Sequence, residues 1–288
     1  MPDQTSRRSF LGAAGVAGLS AVTATSSEAA IEPEPWGIKL GVASYSLRHY
    51  DRGEAIELLK VIGSPWLSVK DVHLSYTSKD SDFEKARKEF AAAGLKVMSA
   101  GNVDMTKDKP ETLGRFFEYA KKGGIPMLVC APTHDQIDAI ERLIKEYDIK
   151  VAIHNHGPED KHFPTPQSVL EVVRNRDPRF GLCMDVGHSA RTGVDVVKTI
   201  AEAGPRLLDM HIKDLYDFSN KDARCDVGDG KMPIPQIFRQ LKSMNYPGCV
   251  NLEYEVEAKG PLLGFAPLLG MQKSMSYMRG ALAALAST

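Results

Sequence analysis

Four short apolar runs in the second half of the chain each stop at a side chain that binds metals. Val151-Ala152-Ile153 leads into His154-Asn155-His156-Gly157, and Phe180 through Met184 leads into Asp185 to His188. Leu207 through Met210 leads into His211 to Asp214, and Val250-Asn251-Leu252 into Glu253 to Glu255. Imidazole nitrogen and carboxylate oxygen are donors for mid-row divalent ions. Residues so far apart in sequence make one ligand set only if the fold gathers strand ends. A barrel of parallel strands does this, because all of its strands open C-terminally on one face.

The rest of the chain has the matching rhythm. Strands are expected over 38–47, 67–74, 96–100, 126–130, 150–154, 180–185, 207–212 and 249–254. Helices are expected over 54–62, 82–93, 110–122, 134–147, 166–174, 194–203 and 235–244, with a final helix through 271–285. Ser81 is the expected N-cap of the second helix, and Gly94 ends it. Eight strand–helix units of roughly 31 residues fit a single-domain (β/α)8 TIM barrel of the α/β class, over 31–288, better than an open doubly wound sheet. No GxGxxG or GxxxxGK[ST] motif occurs, so a nucleotide cofactor is not expected.

Composition narrows the partner. With 43% hydrophobic and 25% charged residues the chain can bury a full core, and its formal charge of -1 gives no long-range reason to expect nucleic acid or an anionic membrane as the partner. A small neutral or weakly charged ligand is expected; nothing in the sequence specifies an oligomeric state.

Strand alternation supports the ligand set. If His154 points into the barrel so does Ala152, and if Asp185 points in so do Cys183 and Gly181. Strand seven then places Asp209, His211 and Lys213 inside and Leu208, Met210 and Ile212 outside. Strand eight places Cys249, Asn251 and Glu253 inside and Val250, Leu252 and Tyr254 outside. The small and polar residues face inward, and all four candidate donors fall on that parity.

The first thirty residues read differently. Ser6-Arg7-Arg8-Ser9-Phe10-Leu11, a Gly/Ala-rich apolar stretch to Val22 and Ser27-Glu28-Ala29-Ala30 form a twin-arginine signal pattern with a small-residue cleavage site. An exported, periplasmic mature protein starting near Ile31 and not inserted in a membrane is expected. The four cysteines show no CxxC spacing or close pair, and four free thiols are expected.

Met184-Asp185-Val186-Gly187-His188 and His211-Ile212-Lys213-Asp214, in this order of strand ends, resemble the xylose isomerase-like barrel superfamily of sugar isomerases and epimerases, which also includes endonuclease IV. The resemblance implies one divalent metal ion, often manganese, with cobalt, zinc or iron as alternatives, held by His154, Asp185, His211 and Glu253. It implies a carbohydrate substrate, with Glu253 as the base, His188 as a sugar contact and Glu159 as a possible counterpart of an acidic residue past strand five. The sequence departs from the epimerases at 154, where they carry a second glutamate; His156, His188 or Glu159 must then supply any second acid.

Other readings remain open at this level. His156 and His188 suit either sugar contact or support of the metal ligands. Lys213 suits either stabilisation of an enolate or pairing with Asp209 or Asp185, and Lys70 and His73 are candidates to line the pocket. Isomerisation or epimerisation is the leading activity, with β-elimination on a 3-keto glycoside as alternative. An exported sugar-binding protein and metal-dependent phosphodiester cleavage are the competing classes. Substrate choice would lie in loops 157–164 and 216–231.

Overall fold

A computed structural model describes residues 37–256 and 266–286; the expected signal segment lies outside the described residues. The strands are β1 (Lys39–Ala43), β2 (Trp66–Val69), β3 (Lys96–Asp104), β4 (Met127–Ala131), β5 (Lys150–His154), β6 (Phe180–Asp185), β7 (Leu207–Ile212), β8 (Asp214–Leu215), β9 (Arg224–Cys225) and β10 (Cys249–Leu252). All but β8 and β9 form a closed parallel barrel in which β10 completes the ring between β7 and β1. This is the expected (β/α)8 architecture.

The helices are α1 (Arg52–Ile62), α2 (Asp80–Ala92), α3 (Gly114–Gly123), α4 (Ile137–Tyr147), α5 (Pro166–Val173), α6 (Val186–Arg191), α7 (Val196–Ala203), α8 (Ile234–Ser243) and α9 (Ala266–Ala286). Their boundaries follow local chemistry. Asp51 and Glu54 form a reciprocal capping box at the start of α1, which satisfies two backbone donors the first turn leaves open. No helix among the described residues is long and apolar enough to cross a membrane.

Two layers of packing follow from strand alternation. Outward side chains such as Leu128, Val151, Ile153, Leu182, Met184, Met210, Val250 and Leu252 join helix residues such as Phe116, Ile140, Val169, Ile200 and Ile237 in the main core. Inward residues Met127, Val129, Ala152 and Cys183 make a second, smaller cluster. Gly41 of β1 faces Asn251 and Cys249 so closely that a Cβ would sit 2.4 Å from Asn251 Oδ1. Only a hydrogen fits there. Below the barrel mouth, Asp209 accepts from Ser99 Oγ at 2.9 Å and from Asn251 Nδ2 at 2.8 Å. Complete burial pushes this carboxyl up to about 6.

Several expected boundaries are corrected. β1 stops at Ala43 because Ser44–Leu47 winds into a 3-10 turn. β2 ends at Val69; the N–H groups of His73 and Leu74 both turn back to the Lys70 carbonyl. β3 runs on to Asp104, α2 begins before Ser81, and a 3-10 turn precedes α3. The expected loop after β6 is instead the short helix α6. Leu208 packs against the inward cluster rather than outside, because a register shift between β6 and β7 inserts an extra residue and slips the alternation.

The 216–231 segment is also more ordered than a loop. β8 and β9 pair antiparallel, and Cys225 is buried there. Asp214 gathers four backbone N–H groups: Leu215 and Met232 on Oδ1 at 2.8 and 2.9 Å, Gly228 and Gly230 on Oδ2 at 3.0 and 3.1 Å. The four described cysteines are free, as expected.

Candidate metal centre

Barrel register carries the four expected donors to one place. His154 ends β5, Asp185 ends β6, and Asp185 and Asn251 both stand beside His211 in the sheet. Glu253 follows β10 directly and its N–H bonds the Ile212 carbonyl, which ties it to β7. One donor atom from each of the four lies within 4.8 Å of the others, and all four residues are buried.

The spacings suit a metal ion. His154 Nε2 is 3.0 Å from His211 Nδ1, His211 Nδ1 is 3.3 Å from Glu253 Oε1, and His154 Nε2 is 3.6 Å from Asp185 Oδ2. With metal–ligand bonds of about 2.1 Å, neighbouring donors stand about 3.0 Å apart at right angles and about 3.4 Å apart in a tetrahedron. Two ring nitrogens facing one another satisfy each other only if one is protonated, whereas a shared cation satisfies both.

Asp185 is aimed by its surroundings. It caps α6, with Oδ1 accepting the His188 N–H at 2.8 Å, which leaves Oδ2 for the donor cluster. Asn155, between the two histidines of the β5 end, accepts the Asp185 N–H at 3.0 Å and donates to Ser189 Oγ at 3.1 Å. Ser189 Oγ in turn donates to the Asp185 carbonyl at 2.6 Å.

Lys213 resolves to the pairing alternative, with partners that differ in part from those expected. Its Nζ lies 2.9 Å from Asp185 Oδ2, 2.8 Å from Glu253 Oε2 and 2.6 Å from Glu255 Oε2; Asp209 is not among its contacts. Two of its N–H donors bond Glu253 and Glu255, and the ammonium charge is also shared with Asp185. Arg224 of β9 reaches Glu255 at 3.3 Å, which links the loop after β7 to the centre.

The field of these groups fixes protonation. Burial works against charge on His154 and lowers it well below the usual imidazole range. On His211 burial is outweighed by Cys183 and Glu253, which hold it well above that range. Burial alone would raise Glu253, but Lys213 and His211 keep it well below the usual carboxylate range, while Asp185 is raised by its complete burial despite Lys213.

The three candidates for a second acid stand in different surroundings. His156 stacks against His154 with ring centroids 4.4 Å apart; its Nε2 faces Asn102 Nδ2 at 2.7 Å and its Nδ1 faces Asp160 at 3.3 Å. Its Nε2 is therefore engaged, while its Nδ1, near Asp160, makes no hydrogen bond among the described residues. Glu159 is more than half exposed and paired with Arg191, so the structure does not bring it to the donor cluster. His188, centred 6.0 Å from His154, keeps a buried Nδ1 with no hydrogen-bond partner among the described residues. Burial, then Lys213 and His156, push it down to about 3, so it is neutral near pH 7. Gly157 turns beside it with φ +84°, where a Cβ would lie 3.1 Å from His188 Nδ1.

The strand-two candidates serve the neighbouring wall. Lys70 Nζ donates to the Asn102 carbonyl at 2.5 Å, and His73 Nδ1 is 2.8 Å from Ser44 Oγ. Asn102, Asn155 and Glu255 are site residues that sequence reasoning did not single out. Only Glu255 carried a signal, since it repeats the inward parity of Glu253.

Fold and centre together define a TIM barrel with two imidazoles and two carboxylates converging at the C-terminal ends of its last four barrel strands. The chain belongs to the xylose isomerase-like TIM barrel family, whose profile matches residues 71–281. An inosose dehydratase of Mesomycoplasma hyopneumoniae (strain 7448) is 24% identical over 233 residues, covering 69% of this chain and 71% of that protein. Among solved structures, D-psicose 3-epimerase from Clostridium cellulolyticum H10, solved with D-tagatose, shares the fold with a TM-score of 0.70 at 14% identity, covering 85% of this chain and 99% of that one. The IOLI protein with a bound zinc atom also has a TM-score of 0.70, at 16% identity over 86% of this chain and 99% of that one.

Proposed function

We propose that this chain is a divalent-metal-dependent enzyme that removes a proton next to a carbonyl of a sugar or sugar derivative. The observation that carries this reading is the convergence of His154, Asp185, His211 and Glu253 at the barrel mouth, beside a neutral His188. These four would hold the ion; mixed nitrogen and oxygen donors suit manganese, cobalt, zinc or iron better than calcium or magnesium. A bound ion would supply positive charge where negative charge develops on the substrate oxygen.

The chain's own residues divide the remaining work. Glu253, ionised and held by Lys213, takes the proton; being a weakened base, it depends on a substrate whose proton is made acidic by that charge. Glu253 returns the proton it has taken, and His188, being neutral, steadies a substrate hydroxyl through its uncommitted ring nitrogen. His156, fixed by Asn102 and Asp160, forms a wall behind His154. Isomerisation or epimerisation at the proton-bearing carbon follows from reprotonation.

A second reading, β-elimination, is favoured by one specific feature. Position 154 carries a histidine, so no second glutamate stands opposite Glu253, and one carboxylate base with an imidazole to hold the departing oxygen suits loss of a leaving group. The similarity to an inosose dehydratase supports the same reading. Incubating the manganese-loaded protein in deuterated water with ketoses, 3-keto glycosides and inososes decides the matter. Deuterium uptake next to the carbonyl supports the enzyme, and an unsaturated product identifies elimination. Sugar binding without exchange or turnover would instead assign a binding protein.

We further propose that the mature enzyme acts outside the cytoplasm, on the strength of the Arg7-Arg8 segment.

A further inference from the structure

We propose that Cys183 gives this centre a second, softer ligand set, His154, Cys183 and His211, which takes a thiophilic divalent ion such as cadmium or zinc on the inner side of the carboxylates. The inference rests on the reading of the four-residue cluster as a metal centre, because it shares both histidines. Cys183, His154 and His211 are all buried, and one donor atom from each lies within 4.8 Å of the others. Cys183 is the register partner of His154 and packs with Met127, Val129 and Ala152 in the barrel interior. Asp185 lies two residues further along β6, toward the mouth. The two rings are thus shared between oxygen donors above and a sulfur donor below.

A second observation points the same way. His154 Nδ1 and His211 Nε2 are buried with no hydrogen-bond partner among the described residues, so each ring has a nitrogen in reserve. Thiolate sulfur selects soft ions, whereas manganese and magnesium prefer oxygen. Binding balances simply: the sulfur–metal bond forms as the S–H bond breaks, and the proton leaves to solvent. The other thiols are placed elsewhere: Cys130 lies in the outer core, Cys225 in β9, and Cys249 beside Asn251 and the Lys39 carbonyl.

The test is optical. The metal-free protein is titrated with cadmium and, separately, with manganese, following sulfur-to-metal charge-transfer absorption in the ultraviolet and binding by calorimetry. Cadmium should give the band and manganese should not. Cys183→Ser and Cys183→Ala should lose the band, keep manganese binding and reduce the preference for cadmium over manganese by about tenfold or more. Asp185→Asn should weaken manganese while leaving the cadmium band. A wild-type protein that binds manganese but shows no cadmium band, or a band that persists in both Cys183 variants, overturns the inference and leaves the proposed centre intact. Failure to bind either ion overturns both.

Discussion

His154 Nε2 and His211 Nδ1 face one another at 3.0 Å across the barrel mouth, from strands that are not neighbours. The strand between them, β6, contributes Asp185 on the same side. Three successive strands thus deliver three donors, with the fourth just after β10, so loss of any one opens the set.

Asp185→Ala or His211→Ala should therefore lower bound manganese, cobalt, zinc or iron from about one ion per chain to near none. Elemental analysis of the purified variants measures this, with circular dichroism to confirm the fold. Full occupancy in both would refute the ligand assignment.

Glu253→Gln should reduce solvent deuterium uptake next to the substrate carbonyl by about 10²- to 10⁴-fold, the usual contribution of a general base, while most sugar binding persists. Near-native exchange would place the base elsewhere.

Lys213→Met should leave Asp185, Glu253 and Glu255 crowded without their shared counter-ion. Breaking a buried ion pair from one side costs about 3–5 kcal/mol, and urea denaturation should register a loss of this order that added manganese partly restores. A loss below roughly 1 kcal/mol would mean that the ammonium is dispensable.

The pH dependence of stability should carry the mark of Asp209. Its folded-state value, raised from 3.8 to about 6, means that the folded chain holds the proton longer than the unfolded one. Its contribution is fully present below about 4, declines by at most about 1.4 kcal/mol per pH unit as pH rises, and is lost above about 6. Comparing Asp209→Asn with the unmodified protein in urea at several pH values isolates this slope. Parallel curves would show that Asp209 does not titrate in this window.

Replacing Arg7 and Arg8 by Lys should strand the precursor in the cytoplasm, as fractionation would show. Normal export of the double variant counts against the signal assignment.

Period-two alternation made the four donors readable before any coordinates, because a strand that buries Val151 and Ile153 outward must turn Ala152 and His154 inward. The same rule failed at Leu208, where the bulge changes the count without leaving a trace in residue type. Asn102 and His156 meet across 54 positions of sequence, and a hydrogen bond of that range has no local signature. Lys213 was legible as inward but not as a three-way partner, since Glu255 lies beyond the end of its strand.

The Asp214 carboxylate has a further consequence for how such a barrel can change. By fastening both ends of the excursion after β7, it leaves residues 217–222 closed on themselves through Asp217–Ser219 and Asn220–Asp222 contacts. That tip is a replaceable cassette. Lengthening a closed excursion costs only about 0.6 kcal/mol per doubling, so new surfaces can be tried at the rim while Arg224 and Glu255 keep their place. Rim and donor cluster are thereby free to change at different rates within one chain.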